Sequence, residues 1–398
     1  VRRLTKYNKY GMISISRLLF DAVGPGDSLR YSREQHAVKK QIPIVVWNCT
    51  NKCNLSCVHC YSNSDDKNSG EILTTAQAKS FISDLSEFGV PVILFSGGEP
   101  LLRADIIELA GFAKERGIRT ALSTNGTLIT AEIADKLKSA DLAEVGISLD
   151  GTGAVNDRFR GKQGAYEAAL HGIRNCISAG IRVSLRMTIT TANHREIPAV
   201  FDLLEKEGVH RVCFYHLAYA GRGRSLAKED LDHSQTRTVI DLICDRTADL
   251  YQRDLKKEVL TVDNHADGVY LYLKLKRQDP VRAEKVASLL RINGGNNSGI
   301  RIGAVDEQGN VHADQFWRHY SFGNVRDRKF GDIWSDTSNS LMSSLKDRKG
   351  LLKGRCSRCR YLDMCNGNLR VRAEAVYGDV WAEDPACYLT DNEIGSNR

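Results

Sequence analysis

The sequence predicts an α/β fold: a partial (β/α)6 barrel of the TIM type with a small, cysteine-rich C-terminal domain. Three observations predict it. Short apolar runs alternate six times with amphipathic helical patterns from about Pro43 onward. Glycines stand where the helices should stop. Seven of the eleven cysteines fall into two dense sets, one directly after the first strand and one near the C-terminus.

The strand-like runs are Ile44–Trp47, Val90–Phe95, Thr120–Ser123, Val145–Ser148, Val183–Ile189 and Val209–Tyr215. Between them apolar residues recur at helical spacing over Ala76–Phe88, Ile106–Arg116, Ala131–Ser139, Ala165–Ala179 and Ile197–Glu207. Gly89, Gly117, Gly180 and Gly208 each follow a helix at the C-terminal cap position. Such alternation implies a parallel sheet with right-handed crossovers. Functional groups in these folds gather at the C-terminal ends of the strands. The chain divides into an N-terminal extension (1–40), a barrel core (41–233), a helical bridge (234–299) and a C-terminal domain (300–398). The bridge holds a helical stretch, Ser234–Arg253, an apolar–charged alternation over Lys256–Lys276 and a second helical stretch, Asp279–Leu290. The C-terminal domain opens on a β-hairpin, Ile300–Ala313, turning at Glu307-Gln-Gly-Asn310.

Composition is that of a soluble globular protein, 42% hydrophobic and 26% charged, and no apolar run approaches the length of a membrane span. Val1–Gly11 is basic and polar and reads as an extension before a start near Met12; it lacks the apolar core of a targeting peptide. An odd count of eleven cysteines, with no signal-peptide pattern, speaks against a disulfide framework and for a reducing, cytoplasmic setting. The net charge is +7, yet no basic stripe or aromatic platform accompanies it, so neither nucleic acid nor membrane is an expected partner.

Cys53, Cys57 and Cys60 stand in Asn51-Lys-Cys-Asn-Leu-Ser-Cys-Val-His-Cys-Tyr61. Four cysteines close an iron–sulfur cubane. Three leave one iron open, and an open metal position is where a cofactor or substrate binds. The alternative is a zinc site with His59 as fourth ligand, although zinc spacing usually pairs cysteines across a longer gap. The next strand ends in Phe95-Ser-Gly-Gly-Glu-Pro100. Gly97 and Gly98 permit close backbone approach to a ligand, and Glu99 can accept charge-assisted hydrogen bonds from an amino group.

The cysteine triplet followed by Gly-Gly-Glu-Pro on the next strand resembles the radical SAM superfamily. The resemblance implies that Cys53, Cys57 and Cys60 hold a [4Fe-4S] cluster with an open iron. It also implies that Gly97, Gly98, Glu99 and Pro100 contact the methionine part of S-adenosylmethionine (SAM). Ser123 and Asn125 in Ser123-Thr-Asn-Gly126, and Ser148 and Asp150 in Ser148-Leu-Asp-Gly151, end two further strands and match positions that supply polar contacts to SAM. Arg160 in Asp157-Arg-Phe-Arg-Gly161, or Arg186, is the expected carboxylate clamp. The backbone of His59 is expected at the adenine. Each strand-end polar residue taken alone also fits a helix cap or turn.

The second cysteine set is Cys356, Cys359 and Cys365, with Cys387 in Asp384-Pro-Ala-Cys-Tyr388. Four thiolates can close a cluster or hold zinc. The pattern resembles the SPASM and Twitch domains of radical SAM enzymes but departs from the full two-cluster form. Leu369 occupies the place of an expected cysteine, and Ile300–Ala313 carries none. One auxiliary [4Fe-4S] cluster is therefore expected. Cys49, Cys176, Cys213 and Cys244 are expected to be packing residues.

Met12-Ile-Ser-Ile-Ser-Arg-Leu-Leu19 and Cys365-Asn-Gly-Asn-Leu-Arg-Val-Arg-Ala-Glu-Ala375 resemble the tetrapyrrole branch of the superfamily. The members of that branch are the 12,18-didecarboxysiroheme deacetylases and the heme d1 biosynthesis enzymes. The former implies removal of two acetate side chains to give Fe-coproporphyrin III by a 5′-deoxyadenosyl radical mechanism, and the latter implies removal of propionates from the same iron tetrapyrrole. A flavodoxin- or ferredoxin-type reductant is implied with either. A peptide-modifying SPASM enzyme and a non-catalytic iron–sulfur electron carrier remain as other classes. For a substrate bearing carboxylates, Arg222 and Arg224 in the Gly-rich loop after the sixth strand are candidate contacts. His312 and His319, near Trp317, Arg318 and Tyr320, are candidates to approach the substrate iron. No residue stands out as a catalytic acid or base.

Overall fold

A computed structural model describes residues 12–24, 27–31, 42–67 and 71–395. Val1–Gly11, part of the predicted extension, lies outside the described residues. The strands are β1 (Met12–Ser14), β2 (Ile44–Asn48), β3 (Val92–Ser96), β4 (Arg119–Thr124), β5 (Glu144–Ser148), β6 (Val183–Ile189), β7 (Arg211–His216), β8 (Glu258–Val262), β9 (Ile302–Val305) and β10 (Val311–His312). They form one open ten-stranded sheet in the order β1-β8-β7-β6-β5-β4-β3-β2-β9-β10. The six runs predicted from sequence are β2 to β7, neighbours in chain order and parallel throughout.

Three features extend the predicted barrel. β8 lies inside the stretch 234–299 that the sequence presents as a helical bridge, and it pairs in parallel with β7. β1, from the N-terminal extension, pairs antiparallel with β8. The C-terminal hairpin forms as β9 and β10, but β9 also runs parallel to β2. Thus residues from every predicted region share the same sheet. The Lys256–Lys276 alternation resolves into β8 and a helix, Ala266–Gln278, whose first seven residues are all buried.

Local rules explain the helices that were legible. Thr75–Phe88 starts with a reciprocal cap between Thr74 and Gln77 and stops at Gly89, whose φ of +92° suits glycine. Its Phe81 meets Trp47 of β2 edge-on at 5.4 Å, joining the helix layer to the sheet. At the N-terminal ends of β5, β7 and β8 charged side chains are buried in a network of ion pairs. Arg30 donates to Glu258 at 2.6 Å, Arg211 Nε donates to Glu258 at 2.8 Å, Arg211 also pairs with Glu144, and Ser184 donates to Glu144 at 2.8 Å. Burial works against the Glu258 charge, but Arg30 and Arg211 outweigh it and hold its carboxyl below the usual range.

Candidate active site

The loop leaving β2 carries Cys53, Cys57 and Cys60 into a cavity at the C-terminal ends of the strands. Gly97, Gly98, Ser123, Asn125, Ser148 and Arg186 line the same cavity, as do His59 and Arg160. Cys49 turns away and donates to Ser96 O at 3.3 Å, and Cys176, Cys213 and Cys244 are buried in the core.

The Gly-Gly-Glu-Pro turn also has a structural task. A Cβ on Gly97 would collide with Thr50 O, and one on Gly98 with Lys52 O. Gly98 N donates to Thr50 O at 2.7 Å and Glu99 N to Lys52 O at 2.8 Å. The close approach that requires glycine is therefore made to the backbone of the cysteine loop. Glu99 is fully buried and absent from the cavity wall. Its carboxylate accepts from Thr124 Oγ1 at 2.7 Å, Asn125 N at 2.8 Å and Leu101 N at 3.1 Å. Burial pushes its pKa up while these donors pull it down. Glu99 thus braces β3 against β4, with one donor on Oε2 and two on Oε1. Pro100 opens the short 3-10 turn beside it and is also buried.

Asn125 points back at the loop, donating to Asn54 Oδ1 at 2.8 Å, with Cys53 Sγ 4.0 Å from the same nitrogen. Asp150 is fully buried behind the cavity. It accepts from Thr188 N at 2.7 Å and lies 2.7 Å from Arg160 Nη2 and 3.3 Å from His59 Nε2. Arg160 Nη1 is 3.7 Å from Cys57 Sγ. Arg160 thus spends its terminal nitrogens on Asp150 and a cysteine sulfur and keeps only its buried Nε without a partner.

Arg186 keeps more of its donors free. It rises from the inner face of β6 and crosses above Gly146 of β5, where any Cβ would collide with the guanidinium. Nη1 donates to Ser123 Oγ. Nε and Nη2 are buried and without partner, and the residue lines the cavity. Two idle guanidinium donors in a concave site fit a carboxylate. With three thiolates alongside, the donor set fits SAM on an open cluster.

Cys356, Cys359, Cys365 and Cys387 line a second pocket together with Val269, Leu362, Leu389 and Ile394. Among the described residues no group of three or more His, Cys, Asp or Glu side chains is arranged to hold one metal ion. A zinc site needs its ligands about 2.3 Å from a single centre. A cubane, in which each thiolate takes a different iron, has no such requirement.

The four substrate candidates do not converge on the cavity as free groups. Arg222 lines it, but its Nε donates to Cys57 O at 2.8 Å and both terminal nitrogens donate to Ser64 O at 3.0 Å, so it buttresses the cysteine loop. Arg224 is exposed and off the cavity. His312 is 1% exposed, held by Tyr320 O at 2.6 Å and Asp306 Oδ2 at 3.2 Å. His319 pairs with Glu374 at 3.0 Å and is likewise absent from the wall.

The cavity continues into the barrel interior past Tyr215, Asp263, Gln315 and Phe316, which line both parts. The deeper part adds His265, and the outer part His216. His216 Nε2 is 2.9 Å from Asp267, which raises its pKa against the opposing effect of burial. Burial lowers His265 to about 4; its Nδ1 lies 3.3 Å from Asn368 Oδ1 and its Nε2 has no partner. Sequence reasoning missed Asp263 and His265 because it missed β8. Had Val259-Leu-Thr-Val262 been identified as a strand, Asp263 would have stood at a strand end like Asn125 and Ser148.

The chain matches the family model described as the Radical SAM superfamily over residues 47–204. It is 55% identical to an Fe-coproporphyrin III synthase of Methanosarcina barkeri (strain Fusaro / DSM 804), covering 96% of this chain and 99% of that protein. It is 44% identical to a pre-heme d1 synthase of Dinoroseobacter shibae, covering 89% and 88%. In fold it resembles Streptococcus suis SuiB bound to S-adenosylmethionine, with a TM-score of 0.71 at 17% identity, over 88% of this chain and 78% of that one. The chain belongs to the radical SAM superfamily, in the group that holds the Fe-coproporphyrin III and pre-heme d1 synthases.

Proposed function

We propose that this enzyme removes the two acetate side chains of 12,18-didecarboxysiroheme to give Fe-coproporphyrin III. The observation that carries this reading is the 55% identity, end to end, with an Fe-coproporphyrin III synthase. As a radical SAM enzyme it uses a [4Fe-4S] cluster and SAM, which together supply a carbon-centred radical that takes hydrogen from the substrate. Cys53, Cys57 and Cys60 are assigned to that cluster, and Arg186, Ser123 and Ser148 to SAM. Gly97, Gly98, Glu99, Asn125, Asp150, Arg160 and Arg222 hold the loop and the cavity wall in shape, the positioning on which cofactor enzymes depend. Cys356, Cys359, Cys365 and Cys387 are assigned to one auxiliary [4Fe-4S] cluster. A flavodoxin- or ferredoxin-type protein is the proposed electron source. Among the described residues no helix is long and apolar enough to cross a membrane.

The second reading, propionate removal, draws on the 44% identity with a pre-heme d1 synthase. Anaerobic turnover of 12,18-didecarboxysiroheme with SAM and a reductant, followed by product mass, separates the two. Loss of two acetates is the expected result. Loss of two propionates, or SAM cleavage with an unchanged macrocycle, overturns it.

A further inference from the structure

We propose that Asp263 is the proton donor to the two-carbon fragment that leaves the substrate. This rests on the acetate-removal reading.

The balance of the reaction calls for such a group. A ring carbon gives up a hydrogen atom to the SAM-derived radical. The bond between the neighbouring ring carbon and the acetate methylene breaks, and a ring C=C bond forms. The departing CH2–COO⁻ fragment is then one electron short of a carbanion. It becomes acetate by gaining one electron, from the low-potential one-electron reductant that the enzyme requires, and one proton. The proton must come from a group that faces the reacting carbon and is protonated at neutral pH.

Asp263 meets those terms on geometry. It directly follows β8, at the C-terminal end of the barrel. Its backbone takes a left-handed φ of 67°, uncommon for a residue that is not glycine, which turns the chain sharply at the cavity wall. It lines both the outer part of the cavity, with the cysteines and Arg186, and the barrel interior, so it stands where the two join. Its carbonyl oxygen accepts from Arg372 Nη2 at 2.6 Å, which fixes the backbone, while among the described residues no donor is paired with its carboxyl. The charged groups around it are Arg372, Asp314 and His216. Arg372 is fully buried and committed to Asp384 at 2.9 Å and to Leu217 O at 3.1 Å. His216 is committed to Asp267. Burial and Asp314 push the Asp263 carboxyl up while Arg372 and His216 pull it down, leaving it at about 7. A carboxyl held there keeps its proton in about half of the molecules at neutral pH, where an ordinary aspartate keeps almost none, and can release it to a stronger base.

The test is Asp263→Asn, with Asp263→Glu as the conservative control, in the intact two-cluster enzyme. Three quantities are read: iron content, macrocycle binding by absorbance titration, and the ratio of acetate released to 5′-deoxyadenosine formed. For Asp263→Asn the expected result is unchanged iron and macrocycle binding, with the acetate-to-5′-deoxyadenosine ratio down at least tenfold. Asp263→Glu should restore most of that ratio. Wild-type acetate release should fall as pH rises through about 7, the pH at which the donor is lost, and Asp263→Asn should lack that limb. A wild-type ratio in Asp263→Asn overturns the proposal. So does loss of iron or of macrocycle binding in that variant, which would make Asp263 structural. If the wild-type enzyme itself releases no acetate, the substrate reading fails instead, and the two failures are distinguishable.

Discussion

The two cysteine sets differ less in their sulfurs than in the polar groups around them. Cys53, Cys57 and Cys60 share a cavity with a guanidinium, that of Arg186, two of whose nitrogens are buried and idle. The pocket of Cys356, Cys359, Cys365 and Cys387 has no such donor: of its described lining residues, none keeps a buried side-chain nitrogen or oxygen without a partner. Arg355, its only arginine, is spent on Asp391 at 2.7 Å and Cys387 O at 3.2 Å. Idle buried donors are costly, and they persist where a ligand satisfies them. One site is therefore built to receive a molecule and the other to close around a metal group. The N-terminal end of the barrel is a third pattern: Arg30, Arg211, Glu144 and Glu258 pair with one another, and although Arg30 Nε and Nη1 stay unpartnered, they lie among carboxylates rather than beside the cysteines.

The comparison breaks most visibly at the cysteines. Cys57→Ala should lower SAM cleavage by roughly three orders of magnitude, about 4 kcal/mol of barrier, as measured by 5′-deoxyadenosine under anaerobic conditions. Cys365→Ala should leave cleavage within about tenfold, roughly 1.4 kcal/mol. Equal losses would erase the distinction. At the other end of the barrel, Glu258→Gln leaves two buried arginines short of a carboxylate and should cost about 3–5 kcal/mol of stability, seen in denaturant midpoints. Because the folded Glu258 carboxyl is depressed, its contribution is complete above the unfolded value of about 4.3 and disappears as pH falls below it. The wild-type melting temperature should therefore drop in acid more steeply than that of Glu258→Gln.

Smaller changes sharpen the account. Arg186→Gln should weaken SAM binding by about 10- to 100-fold, the scale of hydrogen bonds to a charged group, and Arg186→Lys should not rescue it, since an ammonium lacks the planar fork. Calorimetric titration of the reconstituted enzyme gives the constant. Arg222→Ala should cost roughly 1 kcal/mol of stability and some cluster loading, with KM for the macrocycle unchanged. A raised KM with full cluster content would return Arg222 to the substrate.

Local chemistry made much of this legible. The six strands β2 to β7, the caps at Thr74 and Gly89 and the convergence of the strand-end motifs all follow from short-range patterns. What escaped depends on tertiary contacts, several of them between residues far apart in the chain. β8 begins with Glu258, which looks like a surface residue until Arg30 arrives from 228 positions away. The helix Ala266–Gln278 is buried nearly all round at its start, so it shows no clean period. Arg222 and His312 look available in sequence. Their partners, Ser64 at 158 positions, Asp306 across the hairpin turn and Tyr320 in the segment after β10, consume them. Glu99 and the paired glycines were found for their motif, which did not show that the turn's backbone holds the cysteine loop or that the Glu99 carboxylate reaches Thr124 and Asn125.

The most direct test of the two-site account is iron quantitation with electron paramagnetic resonance of the reduced protein, before and after SAM, in the wild type and in Cys365→Ala. The account predicts about eight irons per chain in two [4Fe-4S] clusters, only one of which changes its spectrum with SAM, and a Cys365→Ala variant that keeps the SAM response. A SAM response that disappears with Cys365, or a wild type holding a single cluster, would contradict it.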